Sequence, residues 1–113
     1  MSNRREFVGA LAATSLLGAN EKVTFGVIAT GGRGRYLQQQ FQKLGAQCVA
    51  ICDIYGPNLD KSAAISPEAR RFTVYQDLLE QKMDCVVIAS PDHQHWPMLQ
   101  AALAAKKDVY LEK

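Results

Sequence analysis

The sequence predicts an α/β domain built on an open, doubly wound parallel sheet. Three observations carry that expectation. From residue 23 onward, short apolar runs alternate with longer stretches of helical periodicity. The strand-like runs are apolar at nearly every position, as in strands covered on both faces, whereas a solvated sheet face would impose strict alternation. Each connection is long enough to hold a helix, and strands joined by crossover helices pair in parallel.

Taken in order, "VTFGVIA" (23–29) reads as a strand, and "RYLQQQFQKLG" (35–45) as a helix with Leu37, Phe41 and Leu44 on its apolar face. "AQCVAICD" (46–53) is a second strand. "PNLDKSAAIS" (57–66) is a short helix, "RRFTVY" (70–75) a short peripheral strand and "QDLLEQK" (76–82) a helical turn or two. "DCVVIAS" (84–90) is a fully buried strand. "PDHQHWPMLQAALAAKK" (91–107) is a helix with Met98, Leu99, Ala102 and Leu103 facing the core, and "DVYLEK" (108–113) is the last strand.

Composition bounds the function classes. With 113 residues, 48% of them hydrophobic and 21% charged, the chain is an ordinary globular domain and too short for two sizeable ones. Its 13 Lys and Arg against 11 Asp and Glu are scattered along the chain, which argues against a nucleic-acid partner. Cys48, Cys52 and Cys85 have no CxxC spacing and sit inside apolar runs, so they read as small core residues.

Residues 1–19 stand apart from the domain expected over 20–113. "MSNRREF" is polar and basic, "VGALAATSLLGA" is mildly apolar, and a new pattern then begins, which is the layout of an export signal. The apolar run falls short of the about 20 residues that a membrane-spanning helix needs. Arg4-Arg5 followed by Phe7 resembles the twin-arginine motif, Ser/Thr-Arg-Arg-x-Phe-Leu-Lys, although Asn3, Val8 and Gly9 depart from it. Export to the periplasm, with cleavage near Ala19, is the expectation.

The chemistry starts at "ATGGRG" (29–34), which leaves the first strand and opens the first helix. Glycines alone could form a plain turn. In the first βα connection, however, they allow the backbone to approach a pyrophosphate that rests on the helix N-terminus. Gly31 would admit the phosphates and Gly34 would let helix and strand pack closely. Ala29 takes the place of the first glycine of GxGxxG, where a methyl group fits if the residue keeps a negative φ. A dinucleotide fold also needs an acid at the end of the next strand, about 20 residues on, for the adenosine ribose. Asp53 closes "VAICD" at that distance. A carboxylate there repels the extra phosphate of NADP, so NAD is the expected cofactor; the alternative role for Asp53 is to cap the next helix.

Further on, Pro91 blocks the ladder after Ser90, and Asp92 can cap the following helix. His93 and His95 fall in its first turn, at the carboxyl edge of the sheet where ligands of such folds bind. Spaced i and i+2 on a helix they face apart, so a shared metal is not expected.

Together "ATGGRG", Asp53, "SPDHQH" and "VYLEK" resemble the dinucleotide-binding half of the glucose-fructose oxidoreductase, inositol dehydrogenase and rhizopine-catabolism family, Gfo/Idh/MocA. The resemblance covers residues 23–113. It implies a Rossmann-like fold in which Gly31, Gly32, Arg33 and Gly34 meet the pyrophosphate and Asp53 the ribose. Ser90, Pro91, His95 and Glu112 would then face the nicotinamide side, with Lys113 as the active-site lysine. Lys106 stands where the family commonly ends a helix with glycine, and a left-handed lysine there costs about 1 kcal/mol.

The resemblance implies a hydride transfer between NAD and a sugar or polyol CH–OH group. It also implies a second, substrate-binding domain, through which any homo-oligomer would form and which has no counterpart in these residues. Export constrains the chemistry further, because NAD must be carried out bound and regenerated in place. An NAD-dependent glycosidase working by transient oxidation satisfies that constraint as well, and a non-catalytic NAD-binding fragment is the third alternative.

Overall fold

The computed structural model describes residues 22–90 and 92–111, with the side chains of 92–95 left aside. The expected signal over 1–19, Pro91, Glu112 and Lys113 lie outside the described residues. Five strands, β1 (Thr24–Ile28), β2 (Gln47–Cys52), β3 (Arg70–Phe72), β4 (Cys85–Ile88) and β5 (Asp108–Leu111), form one sheet in the order β3-β2-β1-β4-β5. Every neighbouring pair is parallel. The crossovers contain α1 (Gly32–Lys43), α2 (Gly56–Ile65), α3 (Tyr75–Leu79) and α4 (Asp92–Ala104).

The near-continuous apolar strands are explained by a core on each face. One face packs Phe25, Val27, Cys85 and Val87 against Leu37 and Phe41 of α1 and Leu59 and Ala63 of α2. The other packs Ile28, Val86 and Ile88 against Leu78 and Leu79 of α3 and Met98, Leu99 and Ala102 of α4. Successive strand residues thus serve opposite cores, as the two-residue period of a strand requires. Edge-to-face contacts of Phe41 with Phe25 (5.7 Å) and Tyr110 (5.4 Å) tie α1 across the sheet from β1 to β5.

Two expected core residues lie outside it. Leu44 is 50% exposed because α1 ends there: it is the C-cap, Gly45 turns the chain at φ 98°, and the buried place passes to Ala46. Leu103 is 52% exposed. Ala101 of α4 and Ala105 just past its end pack partly buried against the core on that face, which leaves Leu103 a helical step to one side. Lys106 does adopt the expected left-handed cap, at φ 60°.

Helices α1 and α2 are joined by a buried polar zipper. Gln38 Nε2 donates to Ser66 Oγ (2.7 Å) and to the Ser62 carbonyl (3.1 Å), while Ser62 Oγ donates to Gln38 Oε1 (2.6 Å). Fully satisfied groups of this kind fix one packing register, since any slip would strand buried donors. The register brings the first turn of α2 beside the glycine loop.

Candidate functional site

The strand order reverses between β1, whose chain continues to β2, and β4 on its other side. Loops leave such a switch point in opposite directions and open a crevice at the carboxyl ends of the strands. A cleft of about 320 Å³ lies there, with Ala29, Gly31, Asp53, Asn58, Tyr75 and Met98 among its walls.

One side of this cleft is the N-terminus of α1. Helix α1 begins at Gly32, three residues earlier than the periodicity predicts, so the glycines form its first turn. Gly31 is the N-cap, no side chain caps the helix, and the first turn holds no acid. The first amides of a helix lack intrahelical acceptors and carry partial positive charge, which suits an anion. A Cβ on Gly32 would meet nothing within 4 Å, so the approach is open. Gly34 does the opposite job: a Cβ there would lie 2.1 Å from the Ala29 carbonyl oxygen, closer than any contact allows. Only glycine lets α1 rest on the end of β1.

Ala29 corrects one expectation. Its φ is 73°, in the left-handed region and not at the negative value under which the methyl was expected to fit. The turn demands this: the Ala29 amide still donates to the Cys52 carbonyl in the sheet (2.8 Å), while its own carbonyl must pass beneath Gly34.

Asp53 is tied to both loops. Its Oδ2 accepts from the Thr30 amide (2.8 Å) and the Thr30 hydroxyl (3.1 Å), and its Oδ1 from the Tyr55 amide (2.9 Å). Asp53 therefore does not cap α2, whose N-cap is Tyr55 without a side-chain bond. The β1–β2 register, with Ile28 opposite Cys52, sets Asp53 beside the start of the glycine loop. Across that loop, Arg35 Nη1 donates to the Thr30 carbonyl (2.8 Å) and to Asn58 Oδ1 (3.2 Å). Thr30, Arg35 and Asn58 did not stand out in the sequence; the available signal was that parallel pairing puts the residues after β1 and β2 side by side.

Of the other expected residues, Arg33 is exposed on α1 with its guanidinium 5.0 Å over the Tyr36 ring. Ser90, just past β4, is buried, and its Oγ finds no hydrogen-bond partner among the described residues. His95 lies in the first part of α4. Cys52 lines the cleft, but burial, and then the charges of Asp53 and Asp77, push its thiol up to about 12, so it forms a neutral wall and not a nucleophile. Among the described residues no cluster of His, Cys, Asp or Glu could hold a metal, and no helix is long and apolar enough to cross a membrane. A glycine cradle, an uncapped helix end, a carboxylate at the adjoining strand end and an orphaned buried hydroxyl together fit a dinucleotide.

Residues 23–113 match the GFO_IDH_MocA family model, an oxidoreductase family with an NAD-binding Rossmann fold. The chain belongs to the Gfo/Idh/MocA oxidoreductase family. It is 30% identical over 102 residues to inositol 2-dehydrogenase of Rubrobacter xylanophilus, covering 85% of this chain and 28% of that protein. It is 36% identical over 124 aligned positions to a glycosyl hydrolase family 109 protein of Stenotrophomonas maltophilia, covering 90% of this chain and 27% of that one. Among solved structures, myo-inositol dehydrogenase from Lactobacillus casei, in complex with NAD(H) and myo-inositol, is similar with a TM-score of 0.77 at 27% identity. That match covers 82% of this chain and 29% of the other. This Gfo/Idh/MocA chain thus spans under a third of its relatives' length, and what it spans is the NAD-binding Rossmann part.

Proposed function

We propose that this chain is the cofactor-binding part of an oxidoreductase that moves a hydride between NAD and a sugar or polyol CH–OH group. The observation that carries the reading is the pairing, across one cleft, of the uncapped α1 terminus with a carboxylate fixed at the end of β2. In this reading the first-turn amides from Gly31 to Gly34 hold the pyrophosphate, and Arg33 adds positive charge beside them. Asp53 accepts from the adenosine ribose and disfavours a 2′-phosphate by charge repulsion, so the cofactor is NAD and not NADP. Ser90, Pro91, His95 and Glu112 line the nicotinamide side, where the Ser90 hydroxyl would gain the partner it lacks among the described residues. NAD held there would supply the hydride acceptor. Lys113, matched to the family's active-site lysine, would take the hydroxyl proton from the same carbon. The inositol dehydrogenases among the relatives support a polyol substrate.

A second reading has its own support, in the family 109 glycosyl hydrolase and an α-N-acetylgalactosaminidase of Tannerella forsythia that is 36% identical over 92 residues. There the hydride removed from the sugar returns to it after the glycosidic bond breaks, with no net change at the nicotinamide. That closed cycle suits a periplasmic protein, and Arg4-Arg5 with Phe7 supports a twin-arginine export signal over 1–19. Calorimetric titration of residues 20–113 with NAD tests the common element of both readings, and absence of binding would end them. In the protein that carries both domains, polyols that generate reduced nicotinamide support the first reading. Release of an aglycone without net reduction supports the second.

A further inference from the structure

We infer that Asn58 is a cofactor-binding residue, donating to the second hydroxyl of the adenosine ribose, and that Arg35 is the residue that positions it. The inference rests on the NAD reading above. It begins with the capacity of Asp53. An ionised carboxylate offers about four lone-pair sites. Thr30 fills two on Oδ2, at 2.8 and 3.1 Å, and the Tyr55 amide fills one on Oδ1 at 2.9 Å. About one site remains, on Oδ1. A ribose diol presents two hydroxyls, so Asp53 can accept from one, and the other needs a different partner.

Asn58 shares the cleft wall with Asp53. Its amide orientation follows from chemistry: Arg35 Nη1 lies 3.2 Å from Oδ1, and a guanidinium only donates, so the oxygen must face Arg35. The amide nitrogen is thereby turned toward the glycine loop, with Nδ2 3.9 Å from where a Cβ on Gly31 would sit. Arg35 is itself anchored on the Thr30 carbonyl at 2.8 Å. Asp53, Thr30, Arg35 and Asn58 thus form one chain of hydrogen bonds that holds an acceptor and a donor on the same cleft before any ligand arrives. Preorganisation of this kind spares a ligand the cost of ordering the groups that bind it.

The test is calorimetric titration of the whole chain with NAD and with NAD lacking both hydroxyls on the adenosine ribose. Asn58→Ala should weaken NAD about five- to tenfold, the loss of one hydrogen bond, and leave the dideoxy analogue unaffected. Asn58→Asp separates binding from structure, because it keeps an acceptor for Arg35 and removes the donor. It should melt no lower than the wild type and bind NAD at least as weakly as the alanine variant. Wild-type affinity in either variant overturns the inference, and so does equal weakening of both ligands, which would put the amide on a phosphate. Should the alanine variant fail to fold, the aspartate variant decides alone. A wild-type chain that binds no NAD refutes the NAD reading itself, an outcome distinct from the others.

Discussion

Replacing Ala29 with glycine should stabilise the protein, although it removes a side chain from the sheet end. Ala29 holds φ 73°, a conformation that costs an L-residue about 1–2 kcal/mol. Glycine removes that cost and adds back its greater freedom in the unfolded chain, about 0.4–1 kcal/mol. The lost methyl is only partly buried on the cleft wall, so its burial contributes a fraction of the roughly 0.8 kcal/mol of a fully buried group. The balance is a gain of about 0.5 kcal/mol, or a rise of roughly 2–4 °C in Tm for a domain of this size. Thermal unfolding followed by circular dichroism, with urea unfolding as a check, reads it directly. Lys106→Gly, at φ 60°, should shift Tm in the same direction by the same argument. A drop in Tm for Ala29→Gly would show that the turn does not hold residue 29 in the left-handed region and would refute the account of the glycine loop.

Gly34→Ala should do the reverse: a methyl 2.1 Å from the Ala29 carbonyl oxygen must push α1 off β1, costing about 3 kcal/mol and weakening NAD binding together, as denaturation and calorimetry would show. Asp53→Ser should raise the affinity for NADP relative to NAD, measured as competing dissociation constants, by removing the repelling carboxylate. The thiols of Cys48, Cys52 and Cys85 are pushed from the ordinary 9.0 up to about 11, 12 and 12, chiefly by burial. A raised thiol pKa favours the folded state fully below pH 9.0, and that contribution is lost as pH climbs through 11 to 12, so urea midpoints should fall across this alkaline window. For the same reason iodoacetamide at neutral pH should label the cysteines only after unfolding.

Much of the fold was legible because two patterns agreed. Unbroken apolar strands such as "CVVI" announce burial on both faces, and the helices between them dictate parallel pairing. Asp53 and the glycines were legible as a pair because their separation along the chain matches a βαβ unit. What the sequence hid was set by tertiary geometry. Ala29 carries no sign of a positive φ, since the demand comes from Gly34 packing on its carbonyl. Leu44 and Leu103 fit a helical repeat on paper, yet the small Ala46 takes the buried position beside Leu44, and Ala101 and Ala105 pack partly buried against the core in place of Leu103. Arg35 and Asn58 look like ordinary surface polar residues until the Gln38–Ser62–Ser66 zipper brings α2 against α1.

In the proposed function, the cleft above β1, β2 and β4 binds NAD through the α1 terminus and Asp53. Amide chemical shifts of the isotopically labelled chain, followed by NMR during titration with NAD, test it most directly. The largest changes should fall on Gly31 to Gly34, Asp53 and Tyr55, and they should saturate. Saturating changes confined to the opposite end of the sheet, or no changes at all, would contradict it.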